Sequence, residues 1–89
     1  MDEVTKVRIR GAMYRVGDVV ALIGYNERKG YTAVMRIDKF SKTGNHIGEY
    51  LNGEKIYTAN AYFIRSRATA GEIADEMERR KSENLRGSL

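Results

Sequence analysis

The sequence predicts a mainly β protein, a small half-open barrel of five short strands followed by one C-terminal α-helix. Eight of its nine glycines fall between Gly11 and Gly71 and separate short runs rich in Val, Ile, Tyr and Thr, the pattern of strands joined by tight turns. No helical period interrupts those runs, so no crossover helix is available and the strands must close on one another. Beyond Thr69 the apolar spacing changes to i, i+3, i+4, i+7. With 89 residues, 42% hydrophobic and 31% charged, the chain has material for one small core. Residues 1–68 are read as the barrel, 69–86 as a helix packed on or projecting from it, and 87–89 as a loose tail.

The first run is Thr5-Lys6-Val7-Arg8-Ile9-Arg10, in which Val7 and Ile9 share one face and Lys6, Arg8 and Arg10 the other. The second run, Tyr14 to Ile23, follows a short turn and ends almost continuously apolar, as in a strand covered on both sides. Residues 24–30 form a polar loop bounded by glycines. The third run, Tyr31 to Phe40, is expected to point Ala33, Met35 and Ile37 inward and Arg36 and Asp38 outward. After a turn over Ser41–Asn45, His46 to Leu51 makes a fourth strand and Glu54 to Thr58 a fifth. Asn52-Gly53 joins them as a type I′ hairpin. Ala61 to Arg65 is a last short strand or one 3₁₀ turn. Thr69-Ala70-Gly71-Glu72 fits a capping box, and Ala70, Ile73, Ala74 and Met77 form one apolar stripe on a helix from Ala70 to about Asn84. Asp75 with Arg79 and Glu76 with Arg80 are acid-before-base pairs at i, i+4.

Composition removes several function classes. With no cysteine there is no disulfide framework, no thiolate-held zinc or iron–sulfur centre and no thiol nucleophile. No apolar run reaches the ~18–20 residues that cross a bilayer, and the acidic start Met1-Asp2-Glu3-Val4 is unlike a signal peptide, so a cytoplasmic location and no membrane partner are expected. The net charge is +4, and it is segregated. Residues 1–68 hold 12 bases against 7 acids, and residues 69–89 hold 4 bases against 5 acids.

Gly17-Asp18-Val19-Val20-Ala21, followed by Gly30-Tyr31-Thr32-Ala33-Val34-Met35-Arg36-Ile37, resembles the opening of Tudor and related SH3-like barrels. Glu49-Tyr50-Leu51-Asn52-Gly53-Glu54 is similar to the acidic-Tyr-Gly-Asn turn of their later strands, with the glycine and asparagine exchanged. Ile64-Arg65 falls where such barrels often close. The resemblance spans residues 14–65, is shared with KOW and BAH-type barrels, and implies an SH3-like five-stranded barrel. Tyr31 and Tyr50 match two aromatics of the Tudor cage that holds methylated cations. Lys29 and Gly30 stand where a further aromatic is usual, and a lysine there repels a cation, so methyl-lysine binding is not implied. The ending Ala68 to Ile73 is similar to those of small bacteriophage-encoded accessory proteins.

Nothing in the chain argues for catalysis. His46 is the single histidine, Lys29 lacks the residue order of a phosphate-binding loop, and Asp38, Glu49 and Glu54 are an ordinary acidic trio, so no enzyme and no cofactor are expected. Nucleic-acid binding has more behind it. Lys6, Arg8 and Arg10 line one strand face, Arg28 and Lys29 lie in the long loop beside Tyr25 and Tyr31, and Arg36, Lys39 and Lys42 run along the third strand into its turn. If the first and third strands are neighbours, these cations form one surface for the phosphates of DNA or RNA, with Tyr25 and Tyr31 as stackers and weak sequence preference. The competing reading is that alternating bases are simply the wet, aggregation-resistant faces of strands. The rival function is a protein-interaction module, for instance a viral protein engaging a host machine through a strand edge or the C-terminal helix. Ile73 and Met77 are expected to be spent on the barrel, leaving Leu85 for a dimer or partner contact.

Overall fold

The computed structural model describes residues 3–24 and 30–87, with side chains to residue 83. The chain is mainly β, with one C-terminal helix. Its strands are β1 Lys6–Ile9, β2 Ala12–Arg15, β3 Val19–Leu22, β4 Ala33–Arg36, β5 Lys39–Phe40, β6 His46–Leu51, β7 Glu54–Asn60 and β8 Ile64–Arg67. A 3₁₀ turn over Ala61–Phe63 precedes β8, and α1 runs over Ala70–Gly87. They form a β1–β2 hairpin, a β4–β3–β8 sheet and a β5–β6–β7 sheet, and among the described residues these ladders do not join into a closed barrel.

Among the described residues, eight short strands replace the five expected, because two of the long runs turn a corner and the last short run also forms a strand, β8. Between β2 and β3 the Asp18 carboxylate accepts from the Arg15 backbone N–H at 2.9 Å, bending the chain at Val16–Asp18. Between β4 and β5, the Ile37 N–H donates to the Asp18 carbonyl and the Gly17 N–H to the Ile37 carbonyl, each at 2.8 Å. The two corners therefore satisfy each other's backbone groups. Ala33, Met35 and Ile37 point inward as the alternation predicts, at 8%, 3% and 0% exposed. They join Tyr14, Val20, Leu22, Ile47, Ala59, Ala61 and Ile64 in one core. Val7, Ile9, Ala12 and Phe40 pack against its edge. Residues 61–65 are both things the sequence allowed, a 3₁₀ turn capped by Asn60, whose side chain accepts from the Tyr62 N–H at 2.8 Å, and then the start of a strand.

Two hairpin turns set the registers of β1–β2 and β6–β7. Asn52 and Gly53 take φ of 52° and 83°, and β6 pairs β7 with Leu51 opposite Glu54 and Tyr50 opposite Lys55. The turn before β2 uses Arg10 and Gly11, φ 48° and 82°, and places Ile9 opposite Ala12, Arg8 opposite Met13 and Lys6 opposite Arg15. Arginine in the left-handed region is strained by roughly 1 kcal/mol. Its guanidinium offsets that by donating to the carbonyls of Ile64 at 2.6 Å and Tyr62 at 2.9 Å.

The capping box forms: the Glu72 N–H donates to Thr69 Oγ1 at 3.1 Å and the Thr69 N–H to Glu72 Oε1 at 2.9 Å. The apolar stripe, however, does not dock the helix. Ile73 is half-buried, but Met77 is 67% exposed, which corrects the expectation that it is spent on the barrel. The helix is instead seated by Arg79 and Arg80. Arg79 donates to the Thr32 carbonyl at 3.1 Å and lies 3.8 Å from the centre of the Tyr31 ring. Arg80 donates to the Val34 carbonyl at 3.1 Å and to both oxygens of Glu49 at 2.6 and 3.0 Å, with its guanidinium over Tyr57. Glu49 is only 2% exposed and also accepts from the Arg36 backbone N–H at 2.9 Å. Arg79 pairs with Glu76 rather than Asp75, and Glu76 also reaches Arg80. The side chain of Leu85, the residues of the loop at 25–29, and Ser88 and Leu89 lie outside what is described.

Two carboxylates lend the fold an acid limit. The Arg36 guanidinium holds Asp38 below the usual aspartate range, helped by the Tyr50 N–H. The Thr69 N–H, and then Arg65, hold Glu72 below the usual glutamate range. Depressed folded-state values stabilise the protein above about pH 4, and that contribution is lost as pH falls through them. In urea titrations at stepped pH, Asp38→Asn and Glu72→Gln are each expected to flatten the loss of stability below about pH 4, and an unchanged acid limb in both would refute the assignment.

Candidate nucleic-acid interface

Among the described residues, most basic side chains separate into two populations; Arg10 is held by backbone carbonyls, and Lys81, exposed, lies on α1. Arg36, Arg65, Arg67, Arg79 and Arg80 are paired with carboxylates. Lys6, Arg8, Arg15, Lys39, Lys42 and Lys55 are exposed and face none of the described carboxylates within ion-pair distance.

The free groups gather at two neighbouring places. On the outer face of the β1–β2 hairpin, Lys6 stands directly opposite Arg15, with Arg8 two residues along β1. Like charges directly opposed across an antiparallel pair are destabilising, by up to roughly 1 kcal/mol relative to neutral pairs. The hairpin's other face, with Val7, buttresses the turn at Gly44, where an added Cβ would come within 3.0 Å of the valine. At the open end of the hairpin a groove runs between Val4, Thr5 and Val16 on one side and Lys39, Phe40 and Lys42 on the other. Glu3 and Asp38 also line it.

Past this groove lies the outer face of β5–β6–β7. Lys39 is paired across from Gly48 and Lys55 from Tyr50. Their ammonium groups lie 5.1 and 6.0 Å from the Tyr50 ring centre. At exposed sites such contacts are worth roughly 0.5–1 kcal/mol each. Gly48 keeps the space beneath the ring open: an added Cβ would come 3.1 Å from Tyr50 Cε1 and 3.5 Å from Lys55 Cε.

The sequence-predicted site is thus partly assembled. Lys6 and Arg8 share the hairpin face, and Lys39 and Lys42 share the groove. Arg10 does not join Lys6 and Arg8: it occupies the turn and is spent on the Ile64 and Tyr62 carbonyls. Arg36 is outward but forked onto Asp38 at 2.7 and 2.9 Å, and the Asp38 carboxylate raises its already high pKa further. Tyr31 has the Arg79 guanidinium over its ring, which makes it a seat for the helix. Tyr25, Arg28 and Lys29 lie outside the described residues. The first and third runs are not paired strands, since β1 bonds only to β2. Sequence reasoning missed Arg15, Lys55 and Tyr50 as members of the surface. The two-residue turns at Arg10-Gly11 and Asn52-Gly53 held the signal, because each fixes which residues stand opposite.

Among the described residues, no group of three or more His, Asp or Glu side chains could hold a metal ion, and no helix is long and apolar enough to cross a membrane. No protein-family model, no curated protein and no solved structure matches the chain.

Proposed function

We propose that this chain is a non-enzymatic nucleic-acid-binding accessory protein, built as an open variant of an SH3-like barrel, that holds phosphates with Lys6, Arg8, Arg15, Lys39 and Lys42. The observation that carries the reading is the Lys6–Arg15 pair. Two cations placed opposite each other, neither in an ion pair with a described carboxylate, weaken the free hairpin and favour a bound polyanion. Binding of this kind draws its free energy from released counterions and shows little sequence preference.

Fluorescence anisotropy with a labelled oligonucleotide across a salt series tests it. The logarithm of the association constant is expected to fall with the logarithm of salt at a slope of about −3 to −4. Lys6→Glu/Arg15→Glu is expected to weaken binding more than tenfold and to make the slope shallower by about 2. No binding at low salt, or a variant indistinguishable from the parent, overturns the reading.

A second reading is favoured by Met77. Its exposed side chain lies on a groove between α1 and the β3–β4 strands that Val19, Val34 and Ile73 also line. A protein-interaction module would use this groove, and Met77→Lys would then abolish partner capture while leaving oligonucleotide binding intact.

A further inference from the structure

Tyr50 is placed with more care than a surface tyrosine needs. A β-bulge between Glu49 and Tyr50, with Ile56 as the extra residue of β7, shifts the β6–β7 register and leaves Tyr50 opposite Lys55. Beyond the end of β5, both Tyr50 backbone groups are held by one ion pair. The Tyr50 N–H donates to Asp38 Oδ2 at 2.7 Å, and Arg36 Nη2 donates to the Tyr50 carbonyl at 3.0 Å. Arg36 and Asp38 grip each other at the same time through two hydrogen bonds. The ring lies on the outer sheet face beside Gly48, where an added Cβ would come 3.1 Å from its Cε1 and push it aside by a few tenths of an ångström. Lys39 and Lys55 flank the ring, and neither meets a described carboxylate.

The ring carries the Lys39 and Lys55 ammonium groups over it at 5.1 and 6.0 Å, weak contacts on flexible stems that a base can replace. The site therefore has the chemistry of one nucleotide step: a π-face for the base once the lysines swing aside onto the flanking phosphates. A duplex keeps its bases stacked inside and could use only the lysines. We infer that Tyr50 is a stacking platform for an unpaired nucleobase, so the ligand is single-stranded nucleic acid running across the β5–β6–β7 face with its phosphates on Lys39 and Lys55. Arg36 and Asp38 act here as positioning residues for the ring. The two lysines make the same ring a poor seat for a methylated cation.

This inference rests on the nucleic-acid reading above, and one set of titrations separates their failures. The probes are a labelled oligothymidylate, a mixed-sequence duplex of matched length and inorganic polyphosphate. The parent protein is expected to bind the oligothymidylate more tightly than the duplex. Tyr50→Ala is expected to weaken oligothymidylate binding about 5- to 100-fold, leaving duplex and polyphosphate binding within about twofold. Tyr50→Phe, which keeps the ring, should bind like the parent, and Tyr50→Trp should show indole fluorescence quenched by the oligothymidylate. Circular dichroism melts establish that the variants are folded, and if Tyr50→Ala is not, the Phe and Trp variants decide. If all three probes bind and Tyr50→Ala loses nothing on oligothymidylate, or loses equally on duplex, the platform is refuted and the phosphate-binding reading stands. If the parent binds none of the three at low salt, both are refuted.

Discussion

Arg80→Ala is expected to cost about 3–5 kcal/mol of folding stability, read from urea denaturation at neutral pH. Glu49 is almost wholly out of solvent, and Arg80 supplies two of the three hydrogen bonds to its oxygens. Truncating the arginine leaves a buried carboxylate with only the Arg36 backbone N–H. A single-domain protein of this size has on the order of 5 kcal/mol in total, so the variant should be near the edge of folding at 37 °C. Hydrogen exchange should show where the loss falls: the amides of α1 exchange freely while those of β3 and β4 keep more of their protection. Glu49→Leu combined with Arg80→Met is expected to recover part of the stability, because neither partner is then stranded. Recovery stays partial because the Arg36 N–H loses its acceptor. Met77→Ala, on the face that sequence periodicity would place inside, should change stability by less than about 0.5 kcal/mol. Equal effects for Met77 and Arg80 would show that the helix is seated the other way.

Ile37→Ala is the second large effect, at about 2–5 kcal/mol. Ile37 is 0% exposed and occupies the corner between β4 and β5, the hinge from one sheet into the next. Its backbone accepts from Gly17 and donates to Asp18, so the neighbouring corner is bolted to it and cannot slide in to fill the space left by the missing side chain. Costs at the upper end of that range come from sites that fail to collapse. Ile37→Val, which removes one methylene, should cost about 0.5–1.5 kcal/mol. A small loss for Ile37→Ala in chemical denaturation, with unchanged m-value, would mean that the corner relaxes.

The parts of this fold that were legible in the sequence are those decided by residues close together in the chain. The Thr69–Glu72 capping box, the Asn52-Gly53 turn and the inward set Ala33, Met35 and Ile37 all follow from local spacing. The corners at Gly17 and Ile37 were not legible, because each is bent by hydrogen bonds to the other across some twenty residues. The helix face was misread for a different reason. Hydrophobic periodicity ranks Ile73 and Met77 above Arg79 and Arg80, yet an arginine carries an apolar stem and a flat cation that stacks on tyrosine while its edge bonds a carboxylate. Tyr31 and Tyr57, one on each side, make that possible. Alternation places Lys6 and Arg8 outward, and they are exposed, as are Lys39 and Lys42. Arg10 and Arg36 are engaged instead, Arg10 by the Ile64 and Tyr62 carbonyls and Arg36 by Asp38 and the Tyr50 carbonyl.

The Glu49–Arg80 contact is enclosed, whereas the lysines of the outer face are bathed in electrolyte. Mobile ions shorten the reach of the second to a few ångströms at molar concentration and hardly touch the first. Brine should therefore weaken whatever polyanion the outer lysines hold while the terminal helix stays clasped to its sheet.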